Sequence, residues 1–310
     1  MIINMNPASI MLTILGLSLF EVISSVDNAI INAEVLSTMS RRAKRWFLIW
    51  GLLFAVFVVR GLLPWLIVYA ATPALGFWGS FTATFSNDPR VLEAIERSAP
   101  VLLAGGGTFL IFLFLHWLFI EPKNYGLFGE KFFHSKSVWF YAAASIALSL
   151  IVWFSIKQNP VMAFGTVIGS TAFFITNGFK ETAEQDEKEL VEKKMSDFSK
   201  VLYLEIIDAT FSIDGVLGAF AFTLAVPLII LGNGLGALTL RQLTLGNVER
   251  IKKYAYLKNG AMYSIFFLGL VMLMEAFGLH VRSWVSPLIT FAVVGYFFLK
   301  SRAELKLSLD

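Results

Sequence analysis

The sequence predicts an all-α integral membrane protein with about nine transmembrane helices at roughly 20 residues per span. The fold is expected to be an inverted repeat, with broken helices in spans one and six. Three observations predict this fold: the composition, the alternation of long apolar runs with short charged breaks, and an acidic motif that occurs twice within those runs. Hydrophobic residues make up 57% of the chain and charged residues 15%, against roughly 45–50% and about 25% in a soluble domain. The 310 residues leave little beyond the spans themselves, so residues 1–310 read as a single transmembrane transporter domain.

Charge and cysteine content exclude several function classes. A formal charge of +3 and a pI near 9.0 would suit nucleic acid, but the basic residues cluster in short loops, as membrane orientation requires. No nucleic-acid partner is expected. The absence of cysteine removes disulfides, iron–sulfur clusters and thiolate zinc sites, leaving oxygen and three histidines as metal ligands. Residues 1–9 carry no Lys or Arg, unlike the start of a cleavable signal peptide, so the first span is expected to be retained.

The apolar runs place spans at 8–36, 46–71, 100–120, 138–156, 160–179, 201–225, 227–245, 260–277 and 284–299. Pro227 is the weakest divider, since proline is tolerated inside spans. With the N-terminus outside, the inner loops hold 19 Lys and Arg and the outer loops only Arg90, Arg97, Lys157 and Arg282. The positive-inside rule therefore puts the N-terminus outside and the C-terminus inside. Repeat one covers about 8–179, a cytoplasmic linker 180–200, and repeat two about 201–300. The linker pairs Glu184 with Lys188 and Glu189 with Lys193 at the i, i+4 spacing of a solvated helix. Gly105, Gly106 and Gly107 permit close helix packing, and Trp46, Trp65, Trp139 and Trp284 suit the membrane interface.

The doubled motif carries the functional information. Glu21-Val22-Ile23-Ser24-Ser25-Val26-Asp27-Asn28 is matched by Asp208-Ala209-Thr210-Phe211-Ser212-Ile213-Asp214-Gly215, with Glu205 one turn earlier. Five crossings separate the copies and reverse their direction. Ser18, Glu21, Ser25, Asn28 and Asn32 form one polar stripe, as do Glu205, Asp208, Ser212 and Gly215. Asp27 and Asp214 fall six residues after their leading acids, about 120° away on a regular helix. They reach the same small cavity only if the helix breaks, and Ser-x-Asp-Asn and Ser-x-Asp-Gly are expected to supply that break.

Magnitude favours function over structure. Each ionised acid at a span centre costs roughly 2.5–3.5 kcal/mol, so Glu21, Asp27, Glu205, Asp208 and Asp214 would cost on the order of 12–17 kcal/mol unpaired. Arg60 and Arg241 offset two of those charges; a bound cation and protons are expected to supply the rest. A purely structural network of buried Arg–carboxylate pairs is the competing account. Carboxylate, hydroxyl, amide and carbonyl oxygens suit a hard divalent ion such as Mn²⁺, Mg²⁺ or Ca²⁺. Expected ligands are Glu21, Asp27, Asn28, Glu205, Asp208 and Asp214, with Ser25, Ser212, His116, Glu275 and Arg60 as secondary ligands or relay groups. For His116 a satisfied buried histidine is the competing reading, for Glu275 an interfacial acid, and for Asn177 and Asn233 helix–helix hydrogen bonding.

The segments Glu21 to Asn28 and Glu205 to Gly215 resemble the two signature acidic motifs of the TerC family of integral membrane proteins. One family motif places Glu six residues before Asp-Asn; the other places Glu, an acid three residues on, and Asp six later. Gly215 departs from the Ser that many members carry after the second Asp. The resemblance implies manganese efflux across the cytoplasmic membrane; the excess of acids over one divalent cation leads to protons as the exchanged ion, and no prosthetic group is expected. Two other readings share the acids: export of a small organic solute with a proton relay, and a non-transporting partner in secretion or metal loading. The sequence has no His-Glu-x-x-His run, and no enzyme is expected.

Overall fold

The computed structural model describes residues 6–51, 53–71, 75–83, 89–192, 196–246 and 253–307, and among these every regular element is helical. The first helix, α1 (Pro7–Ser24), starts on Asn6, whose side chain accepts from the Ala8 N–H at 3.0 Å, with Pro at the first helical position. Helix α2 (Val26–Ser37) follows after the single residue Ser25. Next come α3 (Arg41–Trp46), two π-helical segments (Phe47–Gly51 and Phe54–Leu62), α4 (Leu63–Ala71), α5 (Gly76–Ala83) and α6 (Pro89–Phe119). After the short α7 (Glu130–His134) lie α8 (Phe140–Gln158), α9 (Pro160–Glu192), α10 (Asp197–Ala219), α11 (Val226–Gly246), α12 (Leu257–Ala276) and α13 (Val285–Leu307).

Helix occupies the apolar stretches read from the sequence, within the described residues. Among the described residues five segments are long and apolar enough to cross a membrane: Pro7–Ser24, Arg97–Phe119, Ser137–Gln158, Pro160–Thr182 and Leu257–Ala276. Helix α10 falls short of that apolarity because Glu205, Asp208 and Asp214 lie along it. Large apolar side chains of α8 and α9, including Trp153, Phe154, Phe164 and Ile168, point outward and exposed. Such a surface suits lipid rather than water. The interior is apolar around α6, where Phe109, Phe112, Leu113 and Trp117 meet residues of α9, α10 and α12.

Small residues set the closest packing. A Cβ at Gly105 of α6 would stand 2.8 Å from the Gly165 carbonyl oxygen of α9, and Gly169 lies against the backbone of Gly105. Gly107 meets the Gly269 carbonyl of α12 in the same way, with 3.0 Å to a built Cβ. The glycine run therefore serves helix packing, as expected. Gly232 and Gly236 of α11 do the same against α1, where Ser18 Oγ also donates to the Gly232 carbonyl at 2.9 Å.

Three expectations need correction. The break expected at Ser212–Gly215 is absent: α10 is continuous, and Ser212 Oγ bonds the Asp208 carbonyl at 2.6 Å within the helix instead of replacing a ladder bond. In the first copy the irregularity is present, but it is one residue long, Ser25 at φ −101° and ψ 8°. The 180–200 linker is not a separate helix, because α9 runs unbroken through Lys180 to Glu192; residues 193–195 lie outside the described residues. The stretch 46–71 is not one regular helix, since the π-helical segments widen it on either side of residue 52. Pro227, by contrast, does mark a divide: it is the second residue of α11, after the turn that follows α10.

Candidate cation site

The site is built where α1, α10, α11 and the second π-helical segment meet. Glu21 on α1 is 1% exposed and faces Arg60, itself 2% exposed. Arg60 Nε donates to Glu21 Oε1 at 3.0 Å, its Nη2 donates to the same oxygen, and its Nη1 stands 3.9 Å from Asp208 Oδ2. Ser25 Oγ also donates to Glu21 Oε1, at 3.1 Å. Glycines make room for this carboxylate: a Cβ at Gly215 would lie 2.8 Å from Glu21 Oε2, and one at Gly236 would lie 2.6 Å from Glu21 Cβ. Gly215 thus packs directly against the end of the Glu21 side chain across the helix interface.

Glu205 lies one turn before Asp208 on α10. Its Oε1 is 3.6 Å from Arg241 Nη2 of α11, and Gly51 leaves the space it occupies. The Arg241 guanidinium stacks over the Phe47 ring at 4.1 Å. The motif acids Glu21, Asp208 and Glu205 therefore share one buried cluster with the two arginines.

Asp214 takes a different direction, as six residues on an unbroken helix dictate. Its Oδ2 accepts from Lys180 Nζ of α9, and both side chains are largely buried. Lys180 was counted as a loop charge from its place at the end of an apolar run; its role at the site was missed. Asp27 and Asn28 fall in the first turn of α2, and their side chains lie outside the described residues.

The satisfied and unsatisfied carboxylates separate clearly. Glu130, outside the long helices, accepts from the Gly126 N–H at 2.7 Å, the Leu127 N–H at 3.0 Å and Asn259 Nδ2 at 3.0 Å, and holds its loop in place. Glu21 Oε2, both Glu205 oxygens and Asp214 Oδ1 are buried with no hydrogen bond among the described residues. So are both amide atoms of Asn233 on α11. Buried lone pairs of this kind are costly and invite a cation or a proton. No three Asp, Glu or His side chains converge as a preformed metal cage among the described residues.

The remaining candidates lie apart from this cluster. His116 Nδ1 is 3.5 Å from Glu121 Oε1 and its Nε2 is 3.9 Å from Glu181 Oε1, while Asn177 Nδ2 approaches the same Nε2 at 3.4 Å. Lys258 Nζ completes the group, 2.8 Å from Glu121 Oε2. Glu275 lies at the end of α12, near His280. Burial raises the Glu121 carboxyl, but His116 and Lys258 outweigh it and hold the group at about 2, below its ordinary 4.5.

This shift predicts an acid limb in stability. The folded-state value is the lower one, so the stabilisation is present above pH 4.5 and is lost as pH falls through about 2. Glu121→Gln should cost on the order of 2 kcal/mol near neutral pH and flatten the unfolding profile below pH 4.5. Thermal unfolding in detergent across that range measures it; parallel profiles for the two proteins would exclude the shift.

A family model described as "Protein of unknown function (DUF475)" matches residues 26–307, and the chain belongs to that family. No curated protein and no solved structure matches it.

Proposed function

We propose that this protein is a secondary transporter of the TerC type that exports a divalent cation, Mn²⁺ first among the candidates, in exchange for protons. In this reading it spans the cytoplasmic membrane about nine times, N-terminus outside and C-terminus inside, with halves related as an inverted repeat. The observation that carries the proposal is the set of buried carboxylate oxygens without hydrogen bonds on α1 and α10, at Glu21, Glu205 and Asp214. Among the described side chains the motif acids Glu21, Glu205, Asp208 and Asp214 face Arg60, Arg241 and Lys180, and Asp27 adds a fifth motif acid by sequence. The acids remain in surplus. A divalent cation meets that surplus when bound, and protons must meet it when the cation leaves.

A second reading is export of a small organic solute, with the same buried acids relaying protons. Proteoliposomes loaded with a pH-sensitive dye and given a Mn²⁺ gradient distinguish the two. The proposal expects Mn²⁺ flux with opposing proton flux. Mn²⁺ flux without proton movement would reject exchange, and absence of both Mn²⁺ flux and Mn²⁺ binding would leave the organic-solute reading.

A further inference from the structure

The two arginines and the lysine at the site are held in different ways. Arg60 is locked between Glu21 and Asp208, and Arg241 between Glu205 and the Phe47 ring. A planar guanidinium so placed is a fixed part of the wall. Lys180 instead brings a single ammonium on a four-carbon stem to Asp214 Oδ2, while Asp214 Oδ1 is buried without a hydrogen bond among the described residues. The carboxylate is thus held on one side by an ammonium and open on the other.

We propose that the Lys180 ammonium is a tethered counter-cation: it occupies Asp214 while the site is empty and yields that oxygen to the divalent cation as the site loads. The inference rests on the metal-transport reading above. An ammonium and a metal ion compete for the same carboxylate lone pairs and repel each other, so both cannot sit on Asp214 at full strength. Lys180 has somewhere to go. It lies near the end of the apolar part of α9, which reaches Thr182, and Glu181 beside it is 62% exposed. A lysine stem can swing between such positions while its head stays charged. The device keeps the empty site from binding its cargo too tightly, and the returning ammonium helps to expel it.

The test uses the purified full-length protein in detergent at pH 8, with Mn²⁺ alone as ligand and isothermal titration as the readout. Lys180→Met keeps the length of the side chain and removes its charge; Lys180→Arg keeps the charge. The expected result is a Kd for Mn²⁺ at least about tenfold lower in Lys180→Met than in the wild type, about 1.4 kcal/mol, and no tightening in Lys180→Arg. A merely structural brace predicts the opposite sign, weaker binding on loss of the pair. Mn²⁺ binding by the wild type with equal or weaker binding by Lys180→Met overturns the inference alone. No binding by any of the proteins overturns the metal reading and the inference together. Should Lys180→Met fail to fold, Lys180→Gln gives the same comparison.

Discussion

The Arg60→Met protein is expected to be less stable than the wild type by about 3–5 kcal/mol, the cost of leaving one member of a buried ion pair without its partner. The Arg60 nitrogens reach acids from both copies of the motif, Glu21 on α1 and Asp208 on α10. Methionine keeps the apolar stem but strands a carboxylate that is 1% exposed. Glu21 is packed on two sides by the backbone at Gly215 and Gly236. Chemical denaturation in detergent micelles measures the loss. The paired variant Glu21→Gln with Arg60→Met should recover part of it, with a coupling energy of about 0.5–3 kcal/mol. A loss below about 1 kcal/mol in the single variant, the size of an exposed pair, would show that Arg60 does not neutralise Glu21.

What the sequence made legible divides along the range of the interactions. Apolar runs are local, and helix stands on each of them in the described residues. The stripe Glu205, Asp208 and Ser212 needs only the helical repeat, and Arg60 and Arg241 were marked as neutralising groups by their place inside apolar spans. Lys180 was not, because a lysine at the end of an apolar run looks the same whether it snorkels to water or turns back to a buried acid. The departure at Gly215 had no explanation along the chain either; the group it packs against, the Glu21 carboxylate, lies on another helix. The expected break at Ser212–Gly215 failed for a local reason, since serine bonding to the carbonyl four residues back is compatible with a continuous helix. The π-helical segments around Arg60 carry no signal in composition or period.

That continuity changes what each acid is expected to do. On the straight α10, Glu205 and Asp208 belong to the arginine cluster and Asp214 belongs to Lys180, so one ion does not touch all of them in this arrangement. Under the proposed transport, ions are then passed or shared between the arginine cluster and Asp214, with the oxygens of Glu205 and Asp214 that lack hydrogen bonds as the groups expected to do it. Asp214→Asn and Asp27→Asn are each expected to lower Mn²⁺ flux into proteoliposomes by at least about a hundredfold, since the amide keeps size and one oxygen but loses the charge a hard cation needs. Glu205→Gln should lose about tenfold to a hundredfold, the range for groups that support a metal ligand. Glu275→Gln, at the end of α12 and outside the cluster, should stay within about threefold of the wild type, a change of less than 1 kcal/mol. Flux is read by a Mn²⁺-quenched dye, with insertion checked by size-exclusion chromatography so that lost protein is not taken for lost transport. Full flux in both Asp→Asn proteins would remove the paired motifs from the transport path and leave the buried acids as a structural ion-pair network.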